Sequence, residues 1–213
     1  MSQKFTVDWF SHNIPIWTET FDSLGWLHSA TNLRVLEVGS WEGQSACWLL
    51  QHVCCSSGSR LVCIDNWAGA VQYGSAAKDW GLSEEQHHAT AVLQRFRDNI
   101  EAVQGTDKVT VLQQPSWVAL STMMQNDLDT FDVVYIDGSH LPQDVLTDAA
   151  MAWKLLKNEG IMIFDDYQWD QVVCMPKAKT PQKAIDAFLE VFSEELHVMR
   201  LEYQCIVQKR TSH

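Results

Sequence analysis

Short, continuous apolar runs alternate along this chain with longer stretches whose apolar residues recur at helical spacing. Leu33 to Val38 is the first run and stops at Gly39. Gly43 to Cys55 follows, with Ala46, Cys47, Leu49, Leu50 and Val53 on one helical face. Arg60 to Ile64 is a second apolar run, ending at Asp65, and is followed by a polar stretch, Asn66 to Ser83. The spacing of Val92, Phe96, Ile100 and Val103 predicts a helix over Glu84 to Val103. Lys108 to Leu112 and Phe131 to Ile136 read as strands three and four, the latter ending at Asp137. Pro142 suits the first turn of a helix, whose stripe is Val145, Leu146, Ala149, Trp153 and Leu156. Gly160 is expected to close a turn before strand five, Ile161 to Phe164, which ends at Asp165-Asp166. Thr180-Pro181 opens a last helix with Ala184, Ile185, Phe188, Leu189 and Phe192 on one side. Two closing strands, His197 to Leu201 and Tyr203 to Gln208, are too close for a crossover helix and should pair antiparallel.

Strands that alternate with helices give an α/β fold with a mostly parallel sheet, and apolar strands without alternation belong to a sheet covered on both faces. The absence of repeats and linkers favours a single domain over residues 1–213, with residues 1–30 as an N-terminal helical segment and 31–213 as the core. Trp9, Phe10, Ile14, Ile16, Trp17, Phe21, Leu24 and Trp26 place one or two helices over the sheet within that first segment.

Charge narrows the partners. The net charge of −12, with no Lys/Arg stripe, disfavours nucleic acid and anionic membrane. No apolar window is long enough to span a bilayer, and Met1 to Asp8 lacks the features of a signal peptide. None of the six cysteines forms a C-x-x-C pair, and most sit in apolar runs, so they read as reduced core residues of a cytoplasmic protein. Most of the ten tryptophans read as packing residues.

The candidate chemistry lies at the strand ends. Glu37, Asp65, Asp137 and Asp165-Asp166 end or adjoin four strands, and in open α/β sheets ligands bind outside the carboxyl ends of the strands. Crowded carboxylates favour a proton, a cationic ligand or a divalent metal. The first turn, Glu37-Val38-Gly39-Ser40-Trp41-Glu42-Gly43, is not a G-x-G-x-x-G fingerprint. Trp41 would obstruct a pyrophosphate and Glu42 would repel it at the helix start, which disfavours NAD, FAD and ATP. Asp65 stands where an acid accepts bonds from ribose hydroxyls. A nucleoside with a positive centre and no phosphates describes S-adenosylmethionine.

On these residues the chain resembles the class I S-adenosylmethionine-dependent methyltransferases, and within them the methyltransferase-24 group related to catechol-type O-methyltransferases. The resemblance is carried by Leu36 to Ser45, Val62 to Asp65, Phe131 to His140 and Gly160 to Tyr167, and spans about Trp9 to Lys209. It implies a Rossmann-like seven-stranded sheet of order 3-2-1-4-5-7-6 with strand seven antiparallel. It also implies that Glu37, Gly39, Ser40 and Gly43 line the methionine and ribose, and that Asp65 holds the ribose. Asn66, Trp67, Ser116 and Trp117 then lie toward the adenine, with Trp67 and Trp117 equally readable as packing residues. Asp137, Asp165 and Asp166 match positions that hold a divalent metal, Mg²⁺ in that family, and Asp137 also borders the cofactor.

Where the family has a lysine base, this chain has His140, readable as the base or as a capping or metal-shell residue. Substrate walls are expected from the N-terminal helices, the Asn66 to Ser83 loop, and Tyr167 to Lys179 with Trp169, Asp170 and Met175. His87 and His88 read as solvated. The implied activity is methyl transfer to a hydroxyl of a small-molecule acceptor, with a homodimer left open. The competing readings are a non-catalytic module of the same fold, serving in binding or as a scaffold, and a nucleotide-dependent oxidoreductase.

Overall fold

The computed structural model describes residues 2–68, 89–173 and 176–211, and the structural statements that follow concern those residues. Seven strands form the sheet: β1 (Arg34–Val38), β2 (Arg60–Asp65), β3 (Val109–Gln113), β4 (Phe131–Ile136), β5 (Leu156–Phe164), β6 (Leu196–Leu201) and β7 (Cys205–Lys209). Their order is β3-β2-β1-β4-β5-β7-β6, as the resemblance implies. The pairs β2–β3, β1–β4 and β4–β5 are parallel, and β7 is antiparallel to both β5 and β6. The helices are α1 (Ile14–Ser23), α2 (Gln44–His52), α3 (Ala89–Ala102), α4 (Ser116–Met123), α5 (Pro142–Leu155) and α6 (Pro181–Val191). A 3₁₀ turn, Ser11–Asn13, leads into α1, and Asp170–Val173 is a single helical turn. None of these helices is long and apolar enough to cross a membrane.

The chain divides into two compact units, residues 1–32 with 40–114, and residues 33–39 with 115–213. In the first unit the N-terminal segment supplies one helix and a 3₁₀ turn, and α1 packs on α2 through aromatic rings. Phe10 meets Trp17 edge-on at 4.7 Å, and Trp48 of α2 meets Trp17 at 5.4 Å and Phe21 at 5.8 Å. Trp17 and Phe21 are fully buried, so this cluster anchors α1 to α2. Four of the five described cysteines, Cys47, Cys54, Cys63 and Cys205, are buried free thiols as expected, whereas Cys55 is exposed. Burial pushes the Cys54 and Cys205 thiols up to about 12, which keeps them protonated and inert.

In the second unit, β4 from Val133 to Ile136 and β5 from Gly160 to Phe164 are buried on both faces, which is why these stretches read as unbroken apolar runs. Trp153 of α5 packs on Phe188 of α6 at 5.3 Å, and Phe188 reaches Phe164 of β5 at 5.1 Å. Lys209 donates to the Trp153 and Leu156 carbonyls at 3.1 and 2.7 Å, capping the end of α5.

Several boundaries differ from the sequence reading. Strand five starts at Leu156, not Ile161, directly after α5. The turn signal at Asn158-Glu159-Gly160 is absorbed within the strand: the β4–β5 register shifts between Phe131 and Val133, and Glu159 takes a positive φ of 63°. Gly160 closes no turn; a Cβ there would lie 2.9 Å from the Asp132 carbonyl oxygen, so only glycine fits the close approach. Helix α4 has no counterpart in the apolar periodicity, because Val118, Ala119, Leu120 and Met123 fall within only eight residues. Helix α2 stops at His52, short of Cys55.

Candidate active site

Each unit places candidate site residues just past its strand ends. In the first unit, Gly43 closes the Ser40–Gly43 turn by donating its N–H to the Ser40 carbonyl at 2.7 Å. The positive φ of Trp41 (47°) and Gly43 (80°) gives the turn its shape. Asp65, at the end of β2, holds it from one side. One of its carboxylate oxygens accepts from the Ser40 and Trp41 N–H groups at 3.0 and 2.9 Å, and the other accepts from Trp67 N–H at 2.7 Å. Three donors leave capacity on a carboxylate with about four lone-pair sites. Trp67 is buried; its indole N–H donates to the Trp41 carbonyl at 2.9 Å and its ring packs on Phe96 at 5.1 Å. Its indole is thus an anchor of the turn. Asn66 is exposed and accepts from Ala68 N–H at 2.8 Å. Glu42 does not face the amides at the start of α2; its buried carboxylate accepts from Thr6 and Arg95. The Glu42 charge is thus directed away from the start of α2, where the sequence reading sets it against a phosphate.

The second unit gathers the acids. Glu37 is fully buried in β1. The ends of β1, β4 and β5 are tied in sequence, because Asp137 N–H donates to the Val38 carbonyl at 2.8 Å and Asp165 N–H to the Ile136 carbonyl at 3.0 Å. Asp137, His140 and Asp166 each offer a ligand atom, and these atoms lie within 4.8 Å of one another. The Asp166 carboxylate meets His140 Nε2 at 2.5 Å, and Tyr203 donates its hydroxyl to the other Asp166 oxygen at 2.5 Å. Asp166 itself holds a positive φ of 60°, a conformation its partners must maintain. The Trp169 ring stands 4.6 Å from the His140 ring.

Asp165 is placed differently from its neighbour. Its carboxylate meets the Tyr135 hydroxyl, which also lies 2.9 Å from Asp137, and accepts from Asp166 N–H at 2.8 Å. Of the three acids expected to bind metal, the structure brings Asp137 and Asp166 together with His140, and sets Asp165 behind them on Tyr135.

The electrostatics follow from crowding. Burial, and then the charges of Asp165 and Asp166, push Asp137 well above the carboxylate range. Burial and Asp166 push Asp165 up to about 7. Burial alone would lower the His140 pKa, but the charge and hydrogen bond of Asp166 outweigh it and the net direction is upward. A hydroxyl has one proton to donate, so Tyr135 cannot satisfy two ionised carboxylates at once. The pair therefore favours one shared proton or a bound cation. Two carboxylates beside an imidazole form a donor set that suits Mn²⁺ or Zn²⁺ as well as Mg²⁺.

Ser116 and Trp117 open α4. Trp117 is 59% exposed, whereas the Ser116 hydroxyl bonds the buried Asp148 of α5. Residues 69–88, and with them most of the polar loop, His87, His88 and the expected start of α3, lie outside the described residues, as do Cys174 and Met175. Tyr135, Tyr203 and Asp148 are the site-region groups that sequence reasoning did not single out. Tyr135 carried a signal, since it stands two residues before Asp137 and so shares its side of the strand.

Asp148 yields a stability prediction. Burial raises it from an ordinary 3.8 to about 6, with Asp144 adding to the rise and Ser116 opposing it. The folded state therefore holds this proton more tightly than the unfolded one. The wild-type protein has that stabilisation in full below 3.8 and loses it as pH rises through about 6. Asp148→Asn keeps an acceptor for Ser116 and needs no proton. It should be more stable than wild type by about 2 kcal/mol above neutrality, with the gain shrinking toward pH 4. Urea melts of both proteins at acid and neutral pH check this; a gain independent of pH would remove Asp148 as its cause.

Residues 36–167 match the family described as Methyltransferase domain. No curated protein matches the chain in sequence. Among solved structures, the O-methyltransferase TomG from Streptomyces achromogenes, involved in tomaymycin synthesis and complexed with S-adenosylmethionine, is similar at TM-score 0.63 and 15% identity over 92% of this chain and 80% of that one. The O-methyltransferase from Bacillus cereus in complex with S-adenosylhomocysteine is similar at 0.58 and 17%, over 96% and 94%. The MycE methyltransferase of the mycinamycin pathway, in complex with Mg, S-adenosylhomocysteine and mycinamycin VI, is similar at 0.61 and 13%, over 96% of this chain and 51% of that one. At these identities the likeness shows the fold. With more than half of its residues matched by the family and the family's sheet order in place, the chain belongs to the methyltransferase-domain family of class I S-adenosylmethionine-dependent methyltransferases.

Proposed function

We propose that the whole chain acts as one catalytic domain that transfers the methyl group of S-adenosylmethionine to a hydroxyl of a small-molecule acceptor. The observation that carries this reading is the Asp137–His140–Asp166 cluster, an acid–base group built onto a methyltransferase fold. The solved relatives add support, since two of those described are O-methyltransferases and a third is a methyltransferase in complex with Mg, S-adenosylhomocysteine and mycinamycin VI.

Asp65 accepts the ribose hydroxyls with the acceptor capacity its backbone bonds leave free. Glu37 and the Gly39, Ser40 and Gly43 backbone receive the methionine and ribose. Asn66 and the Trp67 backbone, with Ser116 and Trp117, border the adenine. Asp137 and Asp166, beside His140 and backed by Asp165 through Tyr135, would hold a divalent cation, which supplies a Lewis acid that lowers the pKa of an acceptor hydroxyl. His140 in its neutral form takes the acceptor's proton, while Asp166 orients its ring. Trp169 walls the acceptor beside His140. Most of the acceleration comes from fixing the acceptor oxygen in line with the methyl group.

Calorimetric titration of S-adenosylhomocysteine into the purified protein tests the first step. One-site binding, weakened about tenfold or more by Asp65→Ala, is expected, since the carboxylate's bonds to the turn and to the ligand both involve a charge. Absence of binding by folded wild-type protein would overturn the reading in favour of a non-catalytic module.

A further inference from the structure

Asp65 holds the Ser40–Gly43 turn from one side, as a ribose-binding acid at the end of β2 should. A second set of contacts holds it from the other side, through a residue whose type the cofactor does not require. Glu42 sits between Trp41 and Gly43, the two residues of the turn with positive φ. Its carboxylate is 1% exposed. One oxygen accepts from the Thr6 backbone N–H at 2.7 Å, and the other accepts from the Thr6 hydroxyl at 2.7 Å and from Arg95 Nε of α3. The Glu42 carbonyl accepts from Asn99 Nδ2 at 2.9 Å. Asn99 is itself buried and grips the N-terminal segment in both directions. It accepts from Lys4 N–H at 2.7 Å and donates to the Lys4 carbonyl at 2.9 Å, as a neighbouring strand would. Two residues beyond Thr6, Asp8 accepts from Gln44 Nε2 at 2.7 Å at the first residue of α2. Trp9 then lays its ring 5.5 Å from that of Trp41.

These contacts join a segment distant in sequence to each residue from 41 to 44 except Gly43. A non-glycine residue at a φ of 47° persists only where its surroundings hold it there. A buried carboxylate is tolerated only while its donors stay in place. Departure of Thr6 would leave Glu42 short of two of its three donors, and the side chain would have to turn toward water. Turning it out would take the backbone between Trp41 and Gly43 with it. We infer that Glu42 is a positioning residue for the cofactor turn, and that the Lys4–Asp8 segment it anchors is part of the cofactor-binding machinery. The inference rests on the proposed S-adenosylmethionine site and adds to it a coupling between that site and the N-terminus.

The coupling is reciprocal by thermodynamic necessity. If docking of the segment strengthens cofactor binding, the cofactor must strengthen docking by the same factor. Thr6→Val removes the hydroxyl bond and leaves the turn's own residues untouched. Glu42→Gln replaces an acceptor with a donor that faces donors, and serves as the stronger variant if it folds. Both should weaken S-adenosylhomocysteine binding, with Glu42→Gln costing about tenfold. In a transfer assay the KM for S-adenosylmethionine should rise with kcat little changed, because the chemistry at Asp137 and His140 is untouched. Glu42→Asp, which keeps the charge, should recover part of the loss.

Hydrogen exchange of the Lys4 and Thr6 amides gives a readout that a merely stabilising clamp would not move. In the wild-type protein, saturating S-adenosylhomocysteine should slow their exchange by about the factor that Glu42→Gln costs in affinity. Wild-type binding that neither variant changes, with exchange at Lys4 and Thr6 indifferent to ligand, would overturn the coupling and leave the cofactor reading standing. Failure of the wild-type protein to bind S-adenosylhomocysteine would overturn the cofactor reading and this coupling with it.

Discussion

Turnover of the His140→Ala protein should fall by about two orders of magnitude or more, the usual worth of a positioned acid or base, while its affinity for S-adenosylhomocysteine stays near wild type. His140 contacts Asp166 and stacks near Trp169, whereas the Ser40 and Trp41 amides of the turn are held by Asp65. Loss of the ring therefore removes the proton acceptor and leaves the turn's hydrogen bonds as they are. The variant also leaves Asp166, the carboxylate that raises the His140 pKa, without its imidazole partner. Tyr203 still donates to Asp166, so the acid keeps one of its orienting bonds. EDTA separates the base from a cation ligand: wild-type activity abolished by EDTA and restored by magnesium or manganese would establish a metal-dependent reaction. A His140→Ala protein that still takes up the ion yet turns over slowly identifies the imidazole as the base. Unchanged turnover would exclude His140 from that role, and full activity in EDTA would exclude a catalytic metal.

The parts of this site that sequence made legible are those that strand geometry dictates. β4 and α5 lie where apolar continuity and Pro142 place them, because a strand buried on both faces cannot tolerate polar residues and proline fits a first helical turn. Acids just past such strands must gather at one end of a parallel sheet, so Asp137, Asp165 and Asp166 were identifiable as a group. Which oxygen meets which partner was not, because consecutive residues at a strand end point to opposite sides. Asp165 turns to Tyr135, and Asp166, past the strand end with a φ of 60°, turns to His140. Tyr203 reaches Asp166 from the turn between β6 and β7, a contact made by antiparallel pairing far along the chain and invisible to local pattern. Glu42 was misdirected by the same limitation: its position in the turn suggested a charge facing the start of α2, whereas contacts with Thr6 and Arg95 draw it the other way. Strand five begins earlier than its apolar run, and Gly160, which permits close packing, resembles a glycine that ends a turn.

Gly39→Ala should be strongly damaging, lowering stability by roughly 3 kcal/mol or more. Gly39 has a φ of 87°, which an alanine adopts only under strain. A Cβ on its backbone would also lie 2.0 Å from the Asp137 carbonyl oxygen, 2.5 Å from its carbon and 2.6 Å from the Gly138 Cα. All three are backbone atoms, so no rotamer change relieves the clash. Nor can the two segments part cheaply, since Asp137 N–H bonds the Val38 carbonyl and β1 pairs with β4 in continuous register from Val35 to Val38. The displaced backbone would carry Asp137, so any folded remainder should lose methyl transfer as well. Gly25→Ala is the control: its φ is 67°, yet nothing lies within 4 Å of the added Cβ, so only the conformational cost of about 1 kcal/mol applies. Thermal melts of the two variants check the argument, with Gly39→Ala expected to lose roughly 6–12 °C and Gly25→Ala about 2–4 °C. Equal losses would mean that φ alone sets the cost and that β1 and β4 can separate at their ends.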